Sequence, residues 1–313
     1  MGKWRASACL VLRLPFISTR FQPLSTTMTT PCIKPTCFTS SLTLLSWNIA
    51  MAEPSSMAPN AIERSREFGR LIREECLGRP SSRQTTTPDV IALQECPYPS
   101  WGVDNFDSCG YASVGNRQSH CGFVDLLLRK ELADDCKSIE LDESLPSVAC
   151  SFTLPNKARI AVSSSHLAPF KDGFRTRSKQ CNMLMNSLTE ECVNCILLGD
   201  FNMRAAEDKN IEQMCGGWVD AWKSNGAKGS SQFTWNSFAN QYHEDGFKFK
   251  ARFDRCYLKG DTLNLRRFQL IGNRPVRKQD NGGVRDYLSD HFGLLVRIDV
   301  DAPTSTVQDV KLL

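Results

Sequence analysis

The sequence predicts one layered α/β domain. Three observations point there: short apolar runs recur over residues 42–300, stretches of helical period lie between them, and most runs end in a polar residue. Residues 42–49, Leu-Thr-Leu-Leu-Ser-Trp-Asn-Ile, suit a buried strand that carries Asn48 to its tip. Residues 60–77 set Ile62, Phe68, Leu71 and Ile72 among charges, the pattern of a helix with one apolar face. Gly78 to Pro88, rich in Ser, Thr and Arg, reads as a loop. Val90 to Leu93 is a second buried strand, ending in Gln94-Glu95. Further strands are predicted at 123–128, at 159–165 ending in His166, and at 195–198 ending in Gly199-Asp200-Phe201-Asn202, with a helix over 175–188. Two late strands are expected at 251–258 and 292–300, the second preceded by Asp290-His291.

Bulk properties exclude some classes and decide little else. With 41% hydrophobic and 23% charged residues among 313, the chain has the apolar content for a sizeable core. A net charge of +4 permits a polyanionic substrate without demanding one. No run of about 18 apolar residues occurs, so no transmembrane helix is expected. The fourteen cysteines are irregularly spaced in a chain too long to need disulfide staples, which implies a reducing compartment. Cys192 and Cys195 form the one C-x-x-C pair, and it runs into Ile196-Leu197-Leu198. Packed thiols are the favoured reading, against a zinc or redox site. Residues 1–41 hold Lys3, Arg5, Arg13, Arg20 and Lys34 with no acid before Glu53, as in a disordered leader or a transit peptide. Residues 42–300 are the expected catalytic domain, and 301–313 a flexible tail.

Each polar strand tip is ambiguous alone, because a solvated Glu or a hydrogen-bonded core His is commonplace. Together, Asn48, Glu95, His166, Asp200 with Asn202, and Asp290 with His291 form a set suited to phosphate chemistry. Strand ends on one rim of a sandwich converge, so these side chains can meet in one pocket.

The ordered segments LLSWNI (44–49), PDVIALQE (88–95), SSHL (164–167), GDFNMR (199–204) and SDHFGLL (289–295) resemble the endonuclease/exonuclease/phosphatase superfamily. VDAW (219–222), FTW (233–235) and RFDR (252–255) are similar to its tyrosyl-DNA phosphodiesterase branch. The resemblance implies a DNase I-like four-layer sandwich, two packed mixed β-sheets flanked by helices. It also implies a Mg²⁺-dependent phosphodiesterase, with Mn²⁺ as a substitute, that removes 5′-tyrosyl adducts from single-stranded DNA ends during repair. An abasic endonuclease, a deadenylase and an inositol-phosphate phosphatase share the fold and are the alternatives. A monomer without membrane association is expected, in the nucleus, with mitochondrion, plastid or cytoplasm as alternatives.

Chemistry assigns roles within that resemblance. Glu95 offers Mg²⁺ a hard oxygen, and Asn48 joins through its amide oxygen as a ligand or as an outer partner. Asp200 is the candidate to orient and deprotonate the attacking water, while Asn202 holds phosphate or water. His291 and His166 are placed to donate to phosphate oxygens. Asp254 or Asp290 would orient a histidine and raise its pKa. The resemblance pairs Asp254 with His291 and sets Asp290 near the metal's waters. Arg204 supplies a planar fork to phosphate. Trp235 is either a stacking platform or a core residue. The family usually follows W-N-I with an acid, and this chain has Ala50 there. That departure is expected to weaken Mg²⁺ binding without abolishing activity.

Overall fold

A computed structural model describes residues 39–50, 61–77, 87–209, 211, 216–240, 242, 248–275 and 287–303. Residues 1–38 of the leader, most of the 78–88 loop and the tail beyond 303 lie outside the described residues, while residues 39–41, expected in the leader, belong to the first strand. The first sheet contains β1 (Thr39–Asn48), β2 (Val90–Cys96), β3 (Tyr111–Gln118), β4 (Phe123–Arg129), β13 (Leu263–Ile271) and β14 (Gly293–Asp301), in the order β13-β14-β1-β2-β4-β3. The second contains β5 (Lys137–Ser138), β6 (Ser147–Thr153), β7 (Arg159–His166), β8 (Asn194–Asp200), β9 (Val219–Asp220) and β12 (Asp254–Lys259), in the order β5-β6-β7-β8-β12-β9. A small ribbon pairs β10 (Trp235–Asn236) with β11 (Lys250–Ala251), and the one-turn helix α3 (Lys130–Ala133) follows β4.

Both large sheets are mixed for the same reason. In each, a helix crossover makes the central pair parallel: α1 (Ala61–Leu77) between β1 and β2, and α4 (Phe174–Glu191) between β7 and β8. Every other pairing within these two sheets among the described residues is antiparallel. Parallel pairing brings two C-terminal ends to one rim, so Asn48 faces Gln94 and His166 faces Asp200 in register. The antiparallel neighbours begin where these strands end. Asp254, first in β12, faces Asp200, and β14 starts beside the end of β1.

Alternating side chains build the layers. Leu42, Leu44, Val90, Ala92, Leu126 and Leu128 of one sheet meet Cys150, Phe152, Ile160, Val162, Ile196 and Leu198 of the other. Their neighbours point outward: Leu45, Trp47, Ile91 and Leu93 cover Ile72 and Cys76 of α1, with Trp101 and Phe106 of α2 (Trp101–Phe106). On the far side Ala161, Cys195 and Leu197 cover Cys181, Leu184, Met185 and Leu188 of α4. With both faces covered, the strands read as continuous apolar runs rather than alternating ones. Cys192 and Cys195 are buried free thiols. The Cys195 thiol donates to the Leu188 and Cys192 carbonyls, in keeping with the packed reading.

Two expectations change. The strand predicted over 251–258 is two strands in different sheets, divided at Arg252-Phe253, so Asp254 stands at a strand start. The break lets the Arg252 and Arg255 guanidiniums turn into buried pairs with Asp220 (2.6 Å) and Asp208 (2.7 Å). Strands β3, β6 and β13 were not predicted. β13 is a largely half-buried edge with Arg266 and Arg267 exposed, without the apolar run that marks a covered strand.

Candidate active site

Strand ends from both sheets converge here, and local backbone strain aims them. A bulge between Leu93 and Cys96 breaks the β2–β4 register and turns Glu95 out of the pleat. Glu95 (φ 56°), Asn202 (φ 52°) and Ala50 (φ 48°) all adopt the left-handed conformation that non-glycine residues avoid. Gly199 is needed one residue before Asp200. There φ is 141°, and a Cβ would sit 2.0 Å from the Ser165 carbonyl oxygen of the neighbouring strand.

Asp200 is the hub and is buried. Its Oδ1 accepts the Asn202 backbone N–H at 2.8 Å. Its Oδ2 accepts from Asn48 Nδ2 at 3.0 Å and lies 3.6 Å from His166 Nε2 and 3.7 Å from His291 Nε2. Burial works to raise its pKa, but His291, His166 and the Asn48 and Asn202 hydrogen bonds outweigh it and hold the carboxyl below the usual range. Asn48 Nδ2 also donates to Glu95 Oε1 at 2.9 Å, while its Oδ1 accepts the Ala50 N–H at 3.0 Å. The Asn48 amide nitrogen, not its oxygen, therefore faces the carboxylates. This orientation makes Asn48 a bridge between Glu95 and Asp200.

His291 Nδ1 is bonded to Asp254 Oδ2 at 2.8 Å, and the Thr234 hydroxyl accepts the backbone N–H groups of Phe253 and Asp254 at 3.1 Å each. Burial alone would make His291 neutral; Asp254 and Asp200 reverse that and raise it well above an ordinary histidine. His166 goes the other way. Burial pulls it down to about 3 despite Asp200, so it is neutral at pH 7. Its Nδ1 lies 3.3 Å from Ser119 Oγ, whose hydroxyl has the Cys121 carbonyl at 2.6 Å as acceptor. Nδ1 thus carries the proton, and Nε2 presents a lone pair toward Glu95 and Asp200.

The rim holds the remaining predicted residues. Asp290 Oδ1 lies 3.4 Å from Ser289 Oγ, and its carboxylate acts electrostatically on Glu95. Arg204 lies 5.9 Å from the Phe253 ring centre. Trp235 stacks on Phe249 at 5.7 Å, stands edge-on to His291 at 5.0 Å, and joins it in a backbone bridge. It is half-buried, with features of both readings.

Sequence reasoning missed Ser119 and His120, whose ring lies 4.0 Å from that of His166, because a hairpin tip carries no periodic signal. It also missed Ser289, whose hydroxyl donates to the Asn48 carbonyl at 2.7 Å and ties β1 to the His291 segment. The Ser-Asp-His spacing was its available signal. FTW and RFDR act as splints: the Thr234 hydroxyl pins Asp254, and the Thr234 carbonyl accepts the Phe292 N–H at 2.7 Å. Asp220 of VDAW pairs with Arg252, which lies over Trp222 at 4.6 Å.

The donor set fits a hard divalent cation. Asp200, Asp254 and His291 are buried and offer ligand atoms within 4.8 Å of one another, consistent with a metal site. Within that group Nδ1 of His291 and Oδ2 of Asp254 already bond each other, and Glu95 stands beside it, joined to Asp200 through Asn48 Nδ2. Burial first, then Asp290 and Asp200, push Glu95 up to about 7 against its Asn48 bond, the mark of anionic oxygens short of positive charge.

The endonuclease/exonuclease/phosphatase family model matches residues 45–291, most of the chain. The chain belongs to that family. Its two six-stranded mixed sheets with their helices are the family's DNase I-like fold. Tyrosyl-DNA phosphodiesterase 2 of Gallus gallus is 26% identical over 272 residues, covering 83% of this chain and 68% of that protein. The Danio rerio counterpart is 25% identical over 266 residues, covering 82% and 66%. The chain thus spans about two thirds of the length of these curated relatives. A crystal structure of Danio rerio TDP2 with a single-strand DNA product superposes with a TM-score of 0.61 at 24% identity, covering 83% of this chain and 99% of that one. The protein is a hydrolase of phosphoester bonds by family.

Proposed function

We propose that the protein is a Mg²⁺-dependent phosphodiesterase that hydrolyses 5′-phosphotyrosyl bonds at single-stranded DNA ends, acting in DNA repair in the nucleus. The observation that carries the hydrolytic reading is Asp200 Oδ2, buried within 3.7 Å of Asn48, His166 and His291 at one time. The likeness to tyrosyl-DNA phosphodiesterase 2 supports the substrate.

In this reading Glu95 holds the cation with Asp290 close by, and Asn48 keeps Glu95 and Asp200 at fixed separation. The bound cation neutralises phosphate charge and polarises the phosphorus for attack. Asp200, ionised at neutral pH, orients the attacking water and takes its proton. The lone pair of His166 Nε2 accepts from that water, and the Asn202 amide lines its approach. His291, kept protonated by Asp254, donates from Nε2 to a phosphate oxygen as charge develops there. Arg204 clamps the phosphate, and Trp235 with Phe249 offers a flat apolar wall to a ring. A tyrosyl phenol, with a pKa near about 10, leaves far more readily than a sugar alcohol.

The test is a panel of 5′-tyrosyl oligonucleotide, abasic duplex, poly(A) and inositol phosphates with and without Mg²⁺. The tyrosyl oligonucleotide is expected to turn over fastest, and EDTA to stop the reaction. Faster cleavage of any other member overturns the substrate assignment.

A further inference from the structure

The loop after His166 ends in an exposed aromatic ring that no role above uses. Phe170 is 73% exposed, and its φ of 63° is unusual for a bulky side chain. The loop around it is built rigidly. Arg177, fully buried on α4, donates from Nη1 to three successive carbonyls, those of Ala168 (2.9 Å), Pro169 (3.2 Å) and Phe170. The Ala168 N–H is taken by Gln180 Oε1 at 3.0 Å. Gly173 closes the turn, since a Cβ there would sit 2.3 Å from the Pro169 carbonyl oxygen. The other edge of the Arg177 guanidinium grips Glu207 at 3.1 and 2.6 Å, three residues beyond Arg204. One buried cation thus clamps the loop leaving His166 to the loop leaving Asn202, and a strained aromatic is displayed at the clamp.

Phe170 is four residues from His166, a chain reach of at most about 14 Å, or two to four stacked nucleotides from the reacting phosphate. Lys171 and Arg175 are exposed beside it, with Asp172 the opposing charge, so the loop carries net positive charge for a phosphate backbone. An exposed ring held in a fixed, costly conformation beside cations is suited to stacking a splayed base. We propose that Phe170 is a specificity-determining residue, a preorganised platform for one unpaired nucleobase a few positions from the scissile phosphate. The inference rests on the DNA-hydrolase reading given above.

The test uses 5′-tyrosyl single-stranded oligonucleotides in which each of the first four nucleotides in turn carries a base or an abasic spacer. The wild-type protein should lose on the order of ten-fold in kcat/KM, mostly in KM, when one particular base is removed. Phe170→Ala should level that difference, Phe170→Trp should retain it, and Phe170→Leu should recover little of it. An unchanged base-to-spacer ratio in Phe170→Ala, with the tyrosyl substrate still turned over, overturns the platform and leaves the functional reading intact. If the wild-type protein hydrolyses none of the oligonucleotides, the functional reading falls first and takes the platform with it.

Discussion

The Asp254 carboxylate lies 2.8 Å from Nδ1 of His291, and the other ring nitrogen faces Asp200 at 3.7 Å. One imidazole is thereby held between two buried carboxylates that are partners in the register of adjacent strands. Its protonation belongs to the pair and not to the ring alone. In the metal-free protein His291 should stay charged well above pH 6.5, because the two anions outweigh its burial. Its share of stability is then fully present below pH 6.5 and lost as pH rises through the elevated folded value. Asp254→Asn should return the titration toward or below an ordinary histidine, followed by NMR of labelled histidine in EDTA. It should also lower kcat by roughly 10²- to 10⁴-fold. A His291 titration unmoved by the substitution would remove Asp254 from this role.

Glu95 predicts how metal and pH interact. Its folded pKa is raised from 4.5 to about 7, so stability from this group is present below pH 4.5 and is lost between there and about pH 7. A cation compensates the ionised form, so Mg²⁺ should raise the melting temperature more at pH 7.5 than at pH 5.5. Glu95→Gln should flatten that response. Equal Mg²⁺ shifts in wild type and variant, read by calorimetry, would take the metal away from Glu95.

Ala50 occupies a left-handed backbone position two residues after Asn48 and donates its N–H to Asn48 Oδ1. An aspartate tolerates that conformation better than alanine does and would add a carboxylate near the metal. Ala50→Asp is expected to lower the Mg²⁺ concentration for half-maximal activity several-fold. No change in metal requirement would show that the position does not matter.

The Asp208–Asp220–Arg252–Arg255 network predicts a structural effect. Arg255 is buried and pairs with Asp208 at 2.7 Å, and Arg252 pairs with Asp220 at 2.6 Å and Asp208 at 3.1 Å. Asp220 also caps a one-turn helix by accepting the Trp222 and Lys223 N–H groups. Removing one member leaves buried charge uncompensated, so Asp220→Ala should cost roughly 3 kcal/mol or more in urea unfolding. A change within about 0.5 kcal/mol, the scale of an ordinary surface substitution, would contradict the network's importance.

These cases mark what the sequence could and could not reveal. The tips of β1, β2, β7 and β8 were legible because strands covered on both faces carry apolar residues and small hydroxyls in their interior, so the first large polar residue after the run marks the rim. Asp254 opens its strand and His291 precedes its own, and only the motif likeness joined them. The start of β12 was misplaced because Arg252 and Asp254, two apart, look like the polar half of an alternating strand. The pairing of Arg252 and Arg255 with Asp208, 44 and 47 residues away, shows otherwise. The Arg177 clamp was invisible for a related reason. Its acceptors are backbone carbonyls, which any residue supplies. The tautomer of His166 depends on Ser119, at a hairpin tip 47 residues earlier.

The most direct measurement is tyrosine release from a 5′-tyrosyl single-stranded oligonucleotide in Mg²⁺ by the wild-type protein and by Asp200→Asn, with folding of both checked by circular dichroism. The account predicts multiple turnover by the wild type and a fall of at least about 10²-fold in the folded variant. Undiminished turnover by Asp200→Asn would contradict the account at its centre.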